Sequence, residues 1–232
     1  AKYESPLSEI LVKNIAAKLN AGARSVYKFV TCGLRGVQES FAKNCGDGSL
    51  VWNLLPVGLE NVYGRGTDIN AGADWDERRA ILGLVGDVYI TVEGGRNVSQ
   101  LAKVACSRGA VVVPLKRTGG ASGGMCHFPR VQKPHSASLE QWSLLANKDV
   151  PALQTAAAVS AIVRVVDRRV DPVPAKGGCR VSMEVDAVGA RRASAALGKR
   201  RSVFASHPHP AKALPRSSIA VVPAGRHRNT LI

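Results

Sequence analysis

The segment from Gly86 to Leu115 limits what this chain can fold into more than any other stretch of the sequence. It predicts a strand at Asp87–Val92, a glycine pair at Gly94-Gly95, a helix, and a second strand at Ala110–Leu115. The second strand is nearly all valine, which is typical of a strand covered on both faces. Units of this kind build parallel sheets with right-handed crossovers, so the segment predicts an α/β domain.

The same alternation of strands and helices runs through the rest of the first 166 residues. Ser5 and Pro6 have the residue types of a helix N-cap and first helical position. The remaining patterns predict helices at 7–19, 36–44, 75–86, 138–146 and 149–166, and strands at 26–32 and 49–56. Together they predict a Rossmann-like open parallel sheet with helices on both faces.

Three local features refine this interpretation. Residues 57–73 read as one long polar loop, and loops of that length in compact domains are often functional. Asp74 has the residue type and position of an N-cap for the helix that follows it. Asn97 is predicted to cap the helix after the glycine pair, with Gln100 completing a capping box.

The pattern changes after Asp167, where Gly, Pro, Ser, Arg and His dominate. We therefore divide the chain into a Rossmann-like domain (1–166) and a basic, irregular C-terminal extension (167–232). The net charge is +15, and residues 187–232 contain nine Lys or Arg but no Asp or Glu. Such a segment is expected to be disordered on its own. It either binds an acidic partner, which can be RNA, an anionic membrane or an acidic protein, or it is simply a solvated extension.

The remaining composition bears on compartment and cofactors. The five cysteines are scattered without metal-site spacing, so we expect reduced thiols in an intracellular, reducing compartment, either cytoplasm or an organelle matrix. No apolar run reaches the length of a membrane span, and no secretory signal pattern opens the sequence. The residue patterns indicate no metal site and no cofactor.

Glycine-rich loops follow three of the predicted strands, at Gly33–Gly36, Gly94–Asn97 and Thr118–Gly120. Ligands of open parallel sheets bind beyond the carboxyl ends of the strands. Glycines at the start of a helix let the backbone approach a phosphate, and Arg96 and Arg78 can add positive charge. The alternative is that the Gly94 pair is only a tight turn. Neither a dinucleotide fingerprint nor a P-loop is present.

The order of CGLRGVQESFAKNCGDGSLVWNLLP, WDERRAILGLVGDVYITVEGG, AVVVPL and TGGASGG resembles the LOG (LONELY GUY), or "lysine decarboxylase-like", proteins of the wider SLOG superfamily. The likeness covers roughly residues 5–166. The matching positions are Gly33, Gly36 and Val37 in the first glycine loop, Glu77, Arg78 and Arg79 in an ERK-like helix, and Gly94 and Gly95 in a PGGxGTxxE-like loop.

The resemblance implies a Rossmann-like sheet, frequent dimers, and a pocket for nucleotides or nucleotide-derived ligands. With the basic tail added, we expect a homodimer or a subunit of a larger complex. LOG enzymes cleave the base from nucleoside 5′-monophosphates. They use the arginine of the ERK-like motif and the glutamate of PGGxGTxxE. Arg78 falls at the position of that arginine. The family's opening strand and its glycine or serine loop have no counterpart before the first helix of this sequence.

The departures from the family pattern concern the chemistry. Glu93 replaces the proline, Asn97 and Val98 replace the Gly-Thr pair, and Leu101 falls where the catalytic glutamate is expected. Cleavage of an N-glycosidic bond needs a carboxylate to stabilise an oxocarbenium-like transition state or to position water. Leucine does neither, so the sequence predicts a degenerate, non-catalytic member.

The sequence thus favours a non-catalytic SLOG-type domain that binds a nucleotide-like ligand, or a structural subunit docked by its basic tail. The expected ligand- or phosphate-binding residues are Gly33, Gly36, Arg78, Gly94, Gly95, Arg96, Asn97, Val98, Thr118, Gly119 and Gly120. Two alternatives stay open. One is an active phosphoribohydrolase with Arg78 and Glu93 as its catalytic residues, and the other is RNA binding through residues 187–232.

Overall fold

A computed structural model of the chain describes residues 6–23, 27–168 and 219–223. These residues form an α/β fold in which helices cover both faces of a largely parallel sheet. The predicted fold class is therefore confirmed for the part of the chain that the structure describes.

The helices and strands are numbered in chain order. The helices are α1 (Pro6–Ala23), α2 (Val37–Asn44), α3 (Trp75–Val85), α4 (Arg96–Ser107), α5 (Leu139–Ser143) and α6 (Ala152–Arg168). The strands are β1 (Tyr27–Thr31), β2 (Val51–Leu55), β3 (Thr67–Asn70), β4 (Val88–Val92), β5 (Val111–Leu115) and β6 (Ile219–Pro223). Short 3-10 turns occupy Gly48–Leu50, Lys116–Thr118 and Ala121–Gly123.

The six strands lie in the order β3-β2-β1-β6-β4-β5. Two parallel groups, β3-β2-β1 and β4-β5, are joined by β6, which runs antiparallel to both of its neighbours. Val30 of β1 lies opposite Ala220, and Ile90 of β4 lies opposite Ile219. The sheet is therefore mixed rather than purely parallel, and among the described strands β6 is the one that connects its two halves.

Strand β6 corrects the interpretation of the C-terminal extension as irregular throughout. Residues 219–223 were assigned to the extension, yet they pair with two strands of the domain and complete its sheet. The run Ile-Ala-Val-Val-Pro has strand-forming residue types but is only five residues long. A run this short shows no period, and its pairing partners are more than 120 residues away, so local patterning does not reveal it.

The long loop predicted at 57–73 also contains a strand, β3. Its sequence, Thr-Asp-Ile-Asn, is largely exposed and mostly polar. Such a segment carries no hydrophobic alternation, because it lies at the edge of the described sheet and pairs only with β2. Its backbone pairing rather than its side chains makes it a strand.

Two hydrophobic cores hold the layers together. Strand residues such as Phe29 pack with α1, α2 and α6 on one face, and strand residues such as Tyr89 pack with α3 and α4 on the other. Helix α2, which follows β1, thus covers one face of the sheet, whereas helix α4, which follows β4, covers the other face. The sheet therefore switches direction between β1 and β4, and β6 fills that position.

Two of the three predicted N-caps lie within the described residues, and their outcomes differ. Asp74 is the N-cap of α3, and its side chain accepts hydrogen bonds from the N–H groups of Asp76 and Glu77. The prediction for Asn97 is wrong, because α4 begins at Arg96 after Gly95 and has no side-chain cap. The glycine pair turns the chain within two residues of β4, so Asn97 already lies inside the first helical turn.

The other expectations for the extension fall outside the described residues, as do Cys179 and the Ser5 cap. No disulfide joins any two of the four described cysteines. Among the described helices, none combines the length and the apolar character that crossing a membrane requires.

Candidate functional site

The loops after β4 and β5 form one hydrogen-bonded unit at the carboxyl edge of the sheet. The N–H of Glu93 donates to Thr118 Oγ1 at 2.8 Å, and the N–H of Ala121 donates to the Gly94 carbonyl at 2.8 Å. Ser122 donates to the Glu93 carbonyl through both its N–H and its hydroxyl, at 3.0 and 2.9 Å. The structure thus brings the second and third predicted glycine loops together.

The glycines of this unit have two different roles. Gly120 has φ +57°, and a Cβ built on it would lie 2.6 Å from the Gly94 carbonyl oxygen. A Cβ on Gly94 would overlap the side chain of Val98. In contrast, a Cβ on Gly95 or Gly119 would meet nothing within 4 Å. Gly94 and Gly120 are therefore required for packing, whereas Gly95 and Gly119 border open space.

The first turn of α4 faces that open space. Gly95 is its N-cap and has no side chain to offer, and no other side chain caps the turn. Arg96 is exposed and Asn97 is half-buried at the same end. Uncapped N–H groups at a helix N-terminus favour an anion through hydrogen bonds and the helix dipole. Val98 lies one turn in and is buried against Gly94, so it does not face a ligand.

The position expected for a catalytic glutamate is part of the core. Leu101 is 5% exposed and packs with α3 and the sheet, near Gly83. Glu93 is fully buried at the end of β4, with a left-handed backbone at φ +48°. A non-glycine residue held in this region stores strain, which a local structure must compensate.

The loop after β1 satisfies its own N–H groups. The side-chain oxygen of Gln38 accepts hydrogen bonds from the N–H groups of Cys32 and Leu34, at 2.9 and 3.1 Å. Gly33 has φ +68°, and a Cβ on it would lie 2.8 Å from a methyl group of Leu55. Gly36 is the N-cap of α2, again with a positive φ. In this loop Gln38 occupies the N–H groups that a phosphate would otherwise bind.

Arg78 lies beside this loop and is the most unusual charged residue of the site. It projects from α3, is 5% exposed, and lies over the Trp75 ring at 5.0 Å. Its Nη1 donates to Cys32 Sγ at 2.6 Å, while its Nε has no hydrogen-bond partner among the described residues. Burial raises the pKa of the Cys32 thiol, even though the Arg78 charge opposes that shift. The thiol is thus neutral and does not balance the guanidinium.

Sequence reasoning selected Arg78 but missed its neighbours Cys32, Trp75 and Gln38. One signal was present, because Trp75 lies three residues before Arg78 on the same helix face. The contact with Cys32 joins residues 46 positions apart in the chain and gives no local signal.

The predicted site residues form two clusters rather than one. Gly94, Gly95, Arg96, Asn97, Val98, Thr118, Gly119 and Gly120 belong to the β4–β5 side, and Gly33, Gly36 and Arg78 belong to the β1 side. Strand β6 lies between β1 and β4. Two strand spacings, about 10 Å, therefore separate the strands that carry the clusters.

A polar network fixes the loop after β2 next to the β1 side. The Asn53 side-chain oxygen accepts from Thr31 Oγ1 at 2.7 Å and from the Tyr63 hydroxyl at 2.5 Å. The Asn53 amide nitrogen donates to the Arg65 carbonyl at 2.9 Å and to Asp68 Oδ1 at 2.8 Å. The two strands and the loop are thus joined through one buried amide.

Asp68 makes this network sensitive to acid. Burial tends to raise the pKa of its carboxyl, but hydrogen bonds from the Asn61 backbone and from the Asn53 and Asn61 side chains outweigh it, and the pKa is lowered from 3.8. The unfolded chain therefore binds the proton more readily, and the stability that Asp68 contributes is lost as pH falls below about 4. We expect an Asp68→Asn variant to lose less stability than wild type between about pH 5 and pH 3.

Urea denaturation at a series of pH values measures this difference. An Asp76→Asn variant is the control, because Asp76 is exposed and its carboxylate pairs with no described residue except Arg79, at 2.8 Å. Parallel stability curves for Asp68→Asn and wild type across the acid range would contradict the prediction.

Neither a protein-family model nor a curated protein nor a solved structure matches the chain. The likeness to LOG and SLOG proteins therefore depends on the quoted motifs and remains a prediction.

Proposed function

We propose that the chain is a non-catalytic domain of the SLOG type that binds an anionic, nucleotide-like ligand at the carboxyl edge of its sheet. The observation that carries the proposal is Arg78, a buried guanidinium that no described carboxylate pairs with. A buried charge without a partner costs several kcal/mol, and native structures rarely keep one without use.

The surroundings of Arg78 suit an anionic ligand with an aromatic ring. Its Nε is buried and has no hydrogen-bond partner among the described residues, and a phosphate that reached it would satisfy this donor without breaking the Cys32 contact. Trp75 holds the guanidinium plane by a cation–π contact and fixes its direction. The half-exposed Trp52 packs on the same face of the sheet as Arg78 and Trp75.

The first turn of α4 offers a second anchor. Its uncapped N–H groups border open space at Gly95, and Arg96 adds positive charge at that end. A ligand that contacts both anchors must span the strand β6. An elongated molecule with separate polar groups, such as a nucleotide, fits this requirement better than free phosphate does.

The residue at the expected acid position supports the non-catalytic assignment. Leu101 is buried in the α3–α4 core, so no carboxylate extends from that helical turn towards the ligand. The uncapped turn and the buried arginine are binding features that do not themselves break a bond.

Replacing Arg78 with methionine is expected to weaken AMP binding at least about tenfold, because one charge-assisted anchor is lost. The same change is expected to leave the melting temperature unchanged or higher, since methionine replaces an unpaired buried cation. Isothermal titration calorimetry and thermal denaturation measure the two effects.

The matched control is Arg79→Met, which removes a half-exposed arginine paired with Asp76 on the same helix. It should leave AMP binding unchanged. If wild type does not bind AMP at millimolar concentration, the ligand-binding function is wrong and a structural role replaces it.

Glu93 is the one observation that favours the enzymatic alternative. Its carboxylate is fully buried beside the glycine pair and its backbone is strained, as is common at catalytic residues. Long incubation of the protein with AMP, followed by chromatography, tests for free adenine. Release of adenine that disappears in Glu93→Gln would establish a displaced catalytic acid and overturn the non-catalytic assignment.

A further inference from the structure

The outward side of α1 carries an apolar stripe beside its exposed charged residues. Leu7 is 65% exposed and Ile10 is 50% exposed, and Ala17 and Ala21 are exposed farther along the same stripe. The residues of α1 that are buried in the core, such as Leu11 and Ile15, lie on the opposite stripe of the helix. The exposed ion pair of Glu9 and Lys13 lies on another part of the outward side, so α1 carries a second apolar stripe in addition to the one in the core.

Helix α6 extends this apolar surface. It packs against α1, and Ser160 Oγ donates to the Lys18 carbonyl at 3.3 Å. Leu153 is 53% exposed on α6, and Ala157 is exposed one turn farther on. Between the two helices lies a groove of about 370 Å³, lined by Lys18, Ala157, Ser160, Ala161, Arg164 and Val165. The small side chains on α6 leave room there for side chains of another molecule.

The polar part of the groove is positively charged. Lys18 and Arg164 line it, and neither forms an ion pair with a described residue. The acidic residue of α1, Glu9, is already paired with Lys13 at 2.8 Å. A complementary surface would therefore combine apolar side chains with carboxylates.

The C-terminal remainder of the chain lacks the excess of acidic residues that such a surface needs. Residues 187–232 contain nine basic residues and no acidic ones, and residues 169–186 contain three of each. A second copy of the chain, docked symmetrically on the same face, would bring Lys18 and Arg164 to their own counterparts, and like charges disfavour that contact. Charge complementarity thus points to a different, acidic molecule.

We propose that the α1–α6 face docks an acidic amphipathic helix of a partner protein. The apolar stripe of that helix packs on Leu7, Ile10 and Leu153, and its carboxylates pair with Lys18 and Arg164 in the groove. This surface lies on the opposite face of the sheet from α3 and α4, so it is separate from Arg78 and independent of the proposed ligand site.

The test uses two synthetic amphipathic helical peptides with the same leucine stripe, one with glutamates and one with lysines on the polar face. We expect the full chain to bind the glutamate peptide and not the lysine peptide, as measured by fluorescence anisotropy. Hydrogen exchange should show new protection in α1 and α6. A Lys18→Glu/Arg164→Glu double variant should weaken binding about tenfold or more.

The control variant is Lys103→Glu, which makes the same charge change on α4, on the other face of the sheet. It should leave binding unchanged, and circular dichroism confirms that each variant is folded. Failure of the glutamate peptide to bind, or equal weakening by Lys103→Glu, would overturn the proposal. Stronger binding to anionic vesicles than to the peptide, or a dimer that Ile10→Glu dissociates, would assign the face to a membrane or to a second copy instead.

Discussion

A Gly120→Ala variant is expected to lose about 4 kcal/mol of unfolding free energy. Gly120 has φ +57° and ψ −146°, a region that only glycine adopts readily. The added methyl would also lie 2.6 Å from the Gly94 carbonyl oxygen and 2.9 Å from the Glu93 carbonyl carbon. Because both are backbone atoms, no side chain can rotate to relieve the contact.

Gly119, the neighbouring glycine, separates the effect of backbone strain from that of the steric overlap. Gly119 has φ +77° and ψ −158°, close to the conformation of Gly120, but a Cβ there meets nothing within 4 Å. Gly119→Ala should therefore cost only the backbone strain, about 1–2 kcal/mol. Urea denaturation of both variants gives the comparison. Equal losses would mean that the close packing of the β4 and β5 loops contributes nothing.

The second large effect is expected at Asn53. Asn53→Leu keeps the side-chain volume but removes the acceptor for Thr31 and Tyr63 and the donor to Asp68 and the Arg65 carbonyl. Leaving buried polar groups unpaired costs more than a single hydrogen bond contributes, so we expect a loss of about 3 kcal/mol. That corresponds to roughly 6–12 °C in Tm for a chain of this size.

Asn70→Leu is the matched control, since Asn70 is exposed on the edge strand β3. It should change the stability by less than about 0.5 kcal/mol. Hydrogen exchange in the loop after β2 should quicken only in Asn53→Leu. Equal stability of the two variants would show that the network does not hold the loop.

Sequence patterns predicted the elements whose own residues carry a strong period or a clear boundary. The valine-rich β5, the amphipathic α1 and the Asp74 cap of α3 are of this kind, because each is decided by neighbours within a few residues. The glycine loops were also located correctly at the carboxyl ends of β1, β4 and β5.

The features that sequence reasoning missed depend on contacts between distant residues. β6 pairs with strands that precede it by more than 120 positions, and Cys32 meets Arg78 across 46 positions. Gln38 reads as an ordinary helix residue until the fold places its amide over the loop after β1. Patterning identifies which loops meet at the edge, whereas packing decides which of their N–H groups remain for a ligand.

The position of β6 also bears on synthesis of the protein. The two halves of the sheet emerge from the ribosome first, but the strand that joins them is made only after residue 218. Until then β1 and β4 each present an unpaired edge, which is a template for pairing with other chains. The sheet is thus completed only once residue 223 has left the ribosome, and nascent chains that stop short of it should be strong clients of chaperones.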